Sequence, residues 1–375
     1  MAGIYLHIPY CKKRCNYCNF HFTTSLKNKK DLIRGMLLEL KNRKSYLKER
    51  SVNTIYFGGG TPSILDFNEL ESIINEAYKY YNISSDIEIT LEANPDDLYS
   101  KKLSTLKLLG INRLSIGVQS FEDNELQFMN RSHNSKQCFE SISAAQEVGF
   151  NNISIDLIFG IPNQSKKNWI NNLKKAFELN IQHISGYSLT VEPNTVLHKN
   201  IENKILNPLD ENQATEQFQE LMNRCNSEGF EQYEISNYAK RGFMSKHNIS
   251  YWKQDWYLGI GPSAHSFNGK SRSWNVANNK QYIHGVQLGK QIFEDEHLST
   301  KDKYNEYIFT SLRTIWGINS RHIKKRFGEE ISYYFLKSLR KWIHKKYIVI
   351  ENDAYILTRK GKLQADTISS DLFMI

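Results

Sequence analysis

The amino-acid sequence predicts an α/β fold: a partial (β/α)6 barrel followed by a smaller α+β module of the winged-helix type. Short apolar runs alternate six times with turns and amphipathic segments, and three cysteines lie directly after the first run. Near the C-terminus the pattern changes to helices and a hairpin. Alternation of strands and helices indicates parallel strands joined by right-handed crossovers. Six units are too few for a closed eight-stranded barrel.

Each predicted strand ends in a turn rich in polar residues or glycine. The strands are Ile4–Ile8, Val52–Phe57, Asp86–Leu91, Arg113–Val118, Asn152–Phe159 and His183–Leu189. Apolar residues at helical spacing predict helices over Leu32–Leu47, Phe67–Tyr80 and Lys166–Leu179. We expect functional side chains at the C-terminal strand ends, which form the working face of such barrels.

Beyond about residue 195 the pattern is less regular, and we divide the chain into 1–195, 196–295 and 296–375. In the middle part, Asp210–Glu228 is predicted helical, Tyr233–Tyr238 extended, and 241–274 loop-rich and aromatic. In the last part, we predict helices over Tyr304–Leu312 and Ile331–His344 and a hairpin over Ile348–Leu357.

Composition bounds the class of protein. Of 375 residues, 40% are hydrophobic, which is enough for a large core, and no apolar run approaches the length of a membrane span. The sequence enters a strand without a signal-peptide pattern, and its cysteines form no disulfide framework, so we expect a reducing, cytoplasmic location. The net charge of +9 is interpreted as spread along the chain, which gives no indication of a nucleic-acid partner.

The cysteine cluster carries the chemistry. Cys11, Cys15 and Cys18 are spaced CxxxCxxC on a strand-to-helix loop. Thiolates ligate iron–sulfur clusters, and a [4Fe–4S] cluster held by three of them keeps one iron open to another ligand. A structural zinc site would need a second pair of ligands. A redox dithiol would use Cys15 and Cys18 and leave Cys11 unexplained.

The CxxxCxxC spacing resembles that of the radical S-adenosylmethionine (SAM) enzymes. The resemblance implies a [4Fe–4S] cluster on Cys11, Cys15 and Cys18, with SAM chelating the open iron through its amino and carboxylate groups. In that superfamily, the cluster reduces the sulfonium and releases a 5′-deoxyadenosyl radical.

Further blocks are similar to the coproporphyrinogen III oxidase-like branch of the superfamily. They are FGGGTPS (57–63), LEANPD (91–96), LSIGVQSF (114–121), NRSH (130–133) and DLIFGIP (156–162). The resemblance implies a SAM pocket lined by Tyr5, Tyr17, Gly59, Gly60, Thr61, Glu92, Gln119, Arg131 and Asp156. The residue types suit this role, because carboxylates accept from ammonium and hydroxyl groups and arginine pairs with a carboxylate.

Within this branch, two functions compete. The oxygen-independent coproporphyrinogen III oxidases extend the motif to CxxxCxxCxC and carry residues before it, whereas Phe20 occupies the last cysteine position here and ten residues precede Cys11. Both features match the HemW-type haem chaperones, as do HNISYW (247–252), YLGIGPSAHS (257–266) and YSLTVEPNT (187–195). The resemblance implies a haem chaperone, with the radical SAM decarboxylase as the alternative.

Haem binding is the least defined expectation. His247, with Tyr251 and Trp252, could ligate haem iron and pack on the macrocycle; alternatively, His247 is a hydrogen-bonded histidine that orders the chain. The resemblance implies haem-accepting proteins as partners, membrane-associated respiratory proteins among them, and allows a homodimer. A radical SAM enzyme acting on nucleic acid is a third hypothesis. Cys138 and Cys225, in helical segments, are expected to be small buried hydrophobic residues.

Overall fold

Six parallel strands follow one another in chain order across the main sheet of the computed structural model, which describes residues 1–48 and 50–374. They are β1 (Ala2–Ile8), β2 (Val52–Gly59), β3 (Ile83–Ala93), β4 (Arg113–Gln119), β5 (Ile153–Phe159) and β6 (His183–Ser188). All six coincide with predicted strands to within a few residues. The partial (β/α)6 barrel is therefore confirmed.

Helices connect these strands and cover the outside of the sheet. They are α1 (Lys29–Asn42), α2 (Phe67–Tyr80), α3 (Ser100–Leu108), α4 (Asp123–Phe128), α5 (Ser135–Glu147) and α6 (Lys166–Glu178). Helix α2 matches its prediction at both ends. A capping box fixes its start: the Asp66 side chain accepts from the Glu69 backbone N–H, and the Glu69 side chain accepts from the Asp66 backbone N–H. Cys138 and Cys225 are fully buried, as expected.

The two faces of the parallel sheet differ in chemistry. Along β1, Ile4, Leu6 and Ile8 are fully buried in the main hydrophobic core under the helices. Alternate residues on a strand point to opposite faces, so Tyr5 and His7 lie on the inner face. The inner face of the other strands carries the polar residues Thr54, Tyr56, Glu88, Thr90, Glu92, Arg113, Ser115, Asp156, His183 and Ser185, in parallel register. The barrel interior is thus a polar surface suited to a ligand.

Further strands extend the sheet at both edges. They are β7 (Glu231–Gln232) and β8 (Asn237–Ala239) beside β6, and β9 (Trp256–Ile260), β10 (His265–Phe267), β11 (Ser271–Asn275) and β12 (Phe293–His297) beyond β1. The helices of this part are α7 (Val196–Glu202), α8 (Glu211–Ser227), α9 (Lys246–Trp252) and α10 (Asn279–Gln287). The prediction of a loop-rich stretch over 241–274 is wrong, because this stretch contains α9 and three strands. Strand β9 runs parallel to β1.

The C-terminal part has a hydrophobic core of its own, formed by buried residues between Tyr304 and Leu372. Its elements are α11 (Thr300–Leu312), β13 (Ile318–Asn319), α12 (Ser320–Phe327), α13 (Glu329–His344), β14 (Ile348–Glu351), β15 (Ala354–Leu357), α14 (Arg359–Lys362) and α15 (Ala365–Leu372). Strands β14 and β15 pair as the predicted hairpin, and β13 completes a small sheet. The order helix, strand, two helices and hairpin agrees with the winged-helix expectation.

The positive charge is concentrated in this C-terminal part, so the expectation of an even spread is wrong. Residues 298–375 contain fifteen lysines and arginines against eight acidic residues, a net charge of +7 out of +9 for the whole chain. Much of it lies on α12 and α13. Among the described residues, no helix is long and apolar enough to cross a bilayer.

Candidate cofactor site at the barrel mouth

The three clustered cysteines lie on the loop that joins β1 to α1, and backbone hydrogen bonds anchor this loop at several points. The Cys11 N–H donates to the carbonyl of Thr23 (3.0 Å), where the loop returns towards α1. The Asn16 N–H donates to the carbonyl of Met129 (3.1 Å), and the Asn16 carbonyl accepts from the Leu197 N–H (2.9 Å). The loop is therefore fixed to the segments that follow β4 and β6.

The thiols face hydrogen-bond donors from the barrel. The Thr61 hydroxyl donates to Cys11 Sγ (3.4 Å), and an Arg131 Nη donates to Cys15 Sγ (3.2 Å). Burial raises the pKa of Cys11 to about 11 and also raises the pKa of Cys18. A bound metal centre reverses this effect because coordination deprotonates the thiol. Hydrogen bonds to sulfur are among the interactions that tune iron–sulfur clusters.

The number of thiols at this loop bears on which metal centre it could hold. Cys138 and Cys225 are buried in α5 and α8, outside the cysteine loop. The loop therefore offers three thiols, whereas a structural zinc site takes four ligands. Three thiolates are enough for a [4Fe–4S] cluster with one open iron.

The glycine turn after β2 brings this strand against the cysteine loop. A Cβ on Gly60 would lie 2.7 Å from the Tyr10 carbonyl oxygen and 2.9 Å from that of Ile8. Gly59 has a positive φ of 109°, and a Cβ there would lie 2.7 Å from the His7 ring. Only glycine permits both approaches, and the turn leaves backbone groups close to the thiols.

Two buried carboxyl groups face the interior beside this turn. Glu92 accepts from the Tyr56 hydroxyl (2.8 Å) and from the Gly59 N–H (3.2 Å). Burial, reinforced by the charge of Asp156, raises the pKa of Glu92 to about 7. Burial also raises the pKa of Asp156 to about 6, against the opposing effect of the Ser185 hydroxyl. A cationic ligand would stabilise both carboxylates in their charged form.

Arg131 connects the cysteine loop to the strand ends. Besides Cys15, its guanidinium donates to Asn94 Oδ1 (2.7 Å) and to the Gly117 carbonyl (2.9 Å). Its buried Nε has no partner among the described residues. Gln119, the last residue of β4, has a positive φ of 65°, and a Cβ on Gly117 would lie 2.9 Å from its Nε2. Both side chains therefore lie over the bare backbone of Gly117.

Tyr5 and Tyr17, the two tyrosines of the predicted SAM pocket, pack against different parts of the barrel. Tyr5 stacks on Tyr56, with ring centroids 6.1 Å apart, and its hydroxyl is 3.3 Å from His7 Nδ1. Tyr17 packs on the small cluster that includes Leu126 and Met129. Burial raises the pKa of both phenols, so both remain neutral.

The site has the features that a cluster and SAM require. Three thiols with hydrogen-bond donors suit a cluster, and the backbone groups of the Gly59–Gly60 turn suit a small ligand beside it. The buried carboxyl groups of Glu92 and Asp156 suit a cation, and the unpartnered Nε of Arg131 suits a carboxylate. The residues predicted for the cluster and for SAM are brought together at the mouth of one barrel.

His247 lies at the opposite end of the barrel interior, which we call the barrel floor and define by Thr54, Glu88 and the residues of α9. Its Nδ1 is hydrogen-bonded to Thr54 Oγ1 (2.7 Å) and its Nε2 to the Tyr251 hydroxyl (2.8 Å). The ring stacks on Tyr56, with centroids 4.9 Å apart. The Glu88 carboxylate accepts from the His247 N–H (3.2 Å). Ligation of iron by His247 would require one of the two ring hydrogen bonds to break, so that role stays a prediction.

Several residues of the mouth were not predicted from the sequence. Asn94 holds Arg131, and His7 lies between Tyr5 and the His21 carbonyl, to which its Nε2 is hydrogen-bonded (2.9 Å). Lys12 forms an ion pair with Asp96 (2.8 Å). Two features of the sequence could have indicated these residues: the polar residues within LEANPD, and His7 within an otherwise apolar strand.

Two family models and several curated relatives match this chain. Residues 5–182 match the model of the radical SAM superfamily, and residues 298–363 match that of the HemN C-terminal domain. The chain is 35% identical over 371 residues to the protein named heme chaperone HemW of Bacillus subtilis, covering 98% of each chain. The HemW of Haemophilus influenzae is 30% identical over 369 residues, which cover 96% of this chain and 95% of that protein.

A solved structure has the same fold over the whole chain. It is the coproporphyrinogen III oxidase HemN of Escherichia coli, described as a radical SAM enzyme. The TM-score is 0.86 with 23% identity, over 100% of this chain and 90% of that one. At this identity the likeness establishes the fold alone.

Proposed function

The chain belongs to the HemW family of the radical SAM superfamily, and on that premise we propose that it is a haem chaperone. It would bind a [4Fe–4S] cluster, SAM and haem, and deliver haem to acceptor proteins. The observation that carries the proposal is similarity over the full chain to proteins named heme chaperone HemW, combined with Phe20 where the oxidases have a further cysteine.

At the mouth, Cys11, Cys15 and Cys18 would hold the cluster. When bound, the cluster supplies a one-electron reductant next to SAM. Thr61 and Arg131 would donate to the cysteine sulfurs, and Glu92 and Asp156 would accept from the SAM amino group or ribose hydroxyls. Tyr5, Tyr17, Gly59, Gly60 and Gln119 would complete the pocket. Their convergence on one mouth supports these roles.

The acceptors, the location and the assembly belong to the same proposal. We place the protein in the cytoplasm, with haem-requiring proteins of the respiratory chain as candidate acceptors and a homodimer as a candidate assembly. None of these assignments is needed for the cofactor site itself.

The alternative function is that of an oxygen-independent coproporphyrinogen III oxidase. Phe20 disfavours this function, because its side chain is 67% exposed beside the cluster loop and offers no thiol. An anaerobic assay with reductant, SAM and coproporphyrinogen III decides between them. We expect no protoporphyrinogen. Formation of protoporphyrinogen would overturn the chaperone proposal.

Haem binding is tested directly by titrating the purified protein with haem and recording the Soret band. We expect saturation at one haem per chain in the micromolar range or below. The same titration on a protein without haem function, at equal concentration, controls for non-specific partitioning. A spectrum that matches that control would refute the proposal.

A further inference from the structure

The histidines of the barrel differ in whether a ring nitrogen is free for a metal. Both ring nitrogens of His247 are hydrogen-bonded within the protein, and so are those of His183, to Ser154 (2.6 Å) and Tyr233 (2.8 Å). His7 is bonded on both sides by Tyr5 and the His21 carbonyl. The ring nitrogens of these three histidines are all engaged in hydrogen bonds within the barrel, so none has a free lone pair for a metal.

His265 differs from these three. It is the first residue of β10, its side chain is exposed, and among the described residues no group is hydrogen-bonded to its ring. We propose that His265, which lies at the edge of the barrel mouth beside His7 and Trp274, is the axial ligand of the haem iron. This proposal rests on the proposed haem-chaperone function.

Two glycines of the β9 segment place His265 at this edge. A Cβ on Gly259 would lie 2.0 Å from the His265 carbonyl oxygen, and the Gly259 N–H donates to Ser266 Oγ (2.9 Å). Gly261 has a positive φ of 100°, and a Cβ there would lie 2.6 Å from the His7 carbonyl oxygen. Because β9 lies between β1 and β10, these close contacts bring His7 and His265 to one edge.

The surroundings suit a flat metal-containing ring. His265 pairs across the strands with Trp274, and their ring centroids are 6.3 Å apart. The ring centroid of His21 lies 6.2 Å from that of His7, and the Nε2 of His21 is hydrogen-bonded to Asn279 Oδ1 (2.8 Å). The exposed Phe20 is the neighbour of His21 in the chain. This edge therefore presents aromatic surface and imidazole together.

The ligand count at this edge suits haem. A single zinc ion needs three or four protein ligands. Haem iron already has four nitrogen ligands from its macrocycle, so one or two protein ligands are enough. The imidazole of His265 beside the Trp274 ring meets that requirement.

The test compares haem titrations of the wild type, His265→Gln and His265→Ala, with the exposed His344→Ala on α13 as a matched control. We expect both His265 variants to lose about tenfold or more in haem affinity and to show a shifted Soret band. Added imidazole should restore the spectrum of His265→Ala. His344→Ala should match the wild type. Unfolding midpoints and cluster content should be unchanged in all variants.

The outcomes separate the two proposals. If the wild type binds haem and both His265 variants bind it with the same affinity and spectrum, the assignment of His265 is overturned and the chaperone function stands. If the wild type itself shows no specific haem spectrum, the proposed function fails. If His265→Ala unfolds, His265→Gln, which keeps a polar side chain of similar size, gives the answer.

Discussion

The mouth and the floor of the barrel use similar residue types in opposite ways. At the floor, the His247 ring has partners on both nitrogens, and the Glu88 carboxylate accepts from the first turn of α9. At the mouth, the cysteine thiols are partly exposed, and the buried Nε of Arg131 and the exposed His265 ring lack partners among the described residues. Satisfied polar groups build the barrel, whereas unsatisfied ones are available to ligands.

Two histidine-containing blocks illustrate this difference. HNISYW is one of the blocks by which the sequence resembles the HemW type, yet the structure gives its histidine a full set of internal hydrogen bonds. YLGIGPSAHS contains a histidine whose ring has no hydrogen-bond partner among the described residues. A shared motif can therefore serve to close the barrel.

The largest expected effect comes from the mouth. Cys15→Ala removes one of the three proposed cluster ligands, so after anaerobic reconstitution we expect near-complete loss of iron and sulfide from about four of each per chain. Cys138→Ala, a change at a fully buried helical cysteine, is the matched control and should retain the cluster. Iron and sulfide analysis is the measurement. Wild-type content in Cys15→Ala would contradict the site.

The next effect tests the floor. His247→Ala removes two buried hydrogen bonds and leaves a cavity under Tyr56, so we expect the free energy of unfolding to fall by about 2–4 kcal/mol. Urea unfolding measures it, with the exposed His344→Ala as control. The Soret band of bound haem should be unchanged. An altered haem spectrum with unaltered stability would instead make His247 the ligand.

The third effect concerns pH at the mouth. With a pKa of about 7, Glu92 is neutral below this pH and charged above it, so SAM affinity should rise as pH increases through 7. In Glu92→Gln, we expect this rise to shrink and affinity at pH 8 to fall about tenfold, because a charge-assisted contact is lost. Isothermal titration at several pH values measures it, with the exposed Glu140→Gln as control.

The raised pKa of Glu92 also predicts that the stability of the ligand-free protein depends on pH. The pKa of Glu92 in the folded state lies above its usual value. At pH values between these two pKa values, the folded state therefore binds more protons than the unfolded chain. Stability from this group is therefore lost as pH rises to about 7. Glu92→Gln should be more stable than wild type above pH 7. A less stable variant there would show that Glu92 is charged and paired in the folded protein.

The smallest expected effect concerns the basic C-terminal part. The acidic Glu329 and Glu330 begin α13 and Asp353 lies in the hairpin turn, where a winged helix would meet phosphates. We expect no nucleic-acid binding at about 150 mM salt and only weak binding at low salt. Tight binding at 150 mM that Lys337→Glu with Arg340→Glu abolishes would favour the nucleic-acid hypothesis.

Local patterns made much of the fold predictable. The strands β1 to β6 follow from short runs rich in apolar residues, and α2 follows from helical spacing and its cap. Strands β9 to β12 are only three to five residues long, and their places depend on close contacts such as Gly259 against His265. That packing involves residues distant in sequence and is invisible in a local pattern.

The same limit applies to the site. Cys11, Cys15 and Cys18 were predicted as cluster ligands from their local spacing, and the proposed SAM residues were predicted from the resemblance of their sequence blocks to a known family. Of the two ring partners of His247, Tyr251 lies four residues away in the same helix, but Thr54 lies 193 residues away, so the local pattern could not indicate that both ring nitrogens are occupied.

The most direct test of the account is electron paramagnetic resonance of the reduced, anaerobically reconstituted protein, recorded with and without SAM. Three cysteine ligands and an open iron predict a [4Fe–4S] signal whose g values change when SAM is added, and no such signal in Cys15→Ala. A reduced cluster that does not respond to SAM, or one that survives the loss of Cys15, would contradict the account.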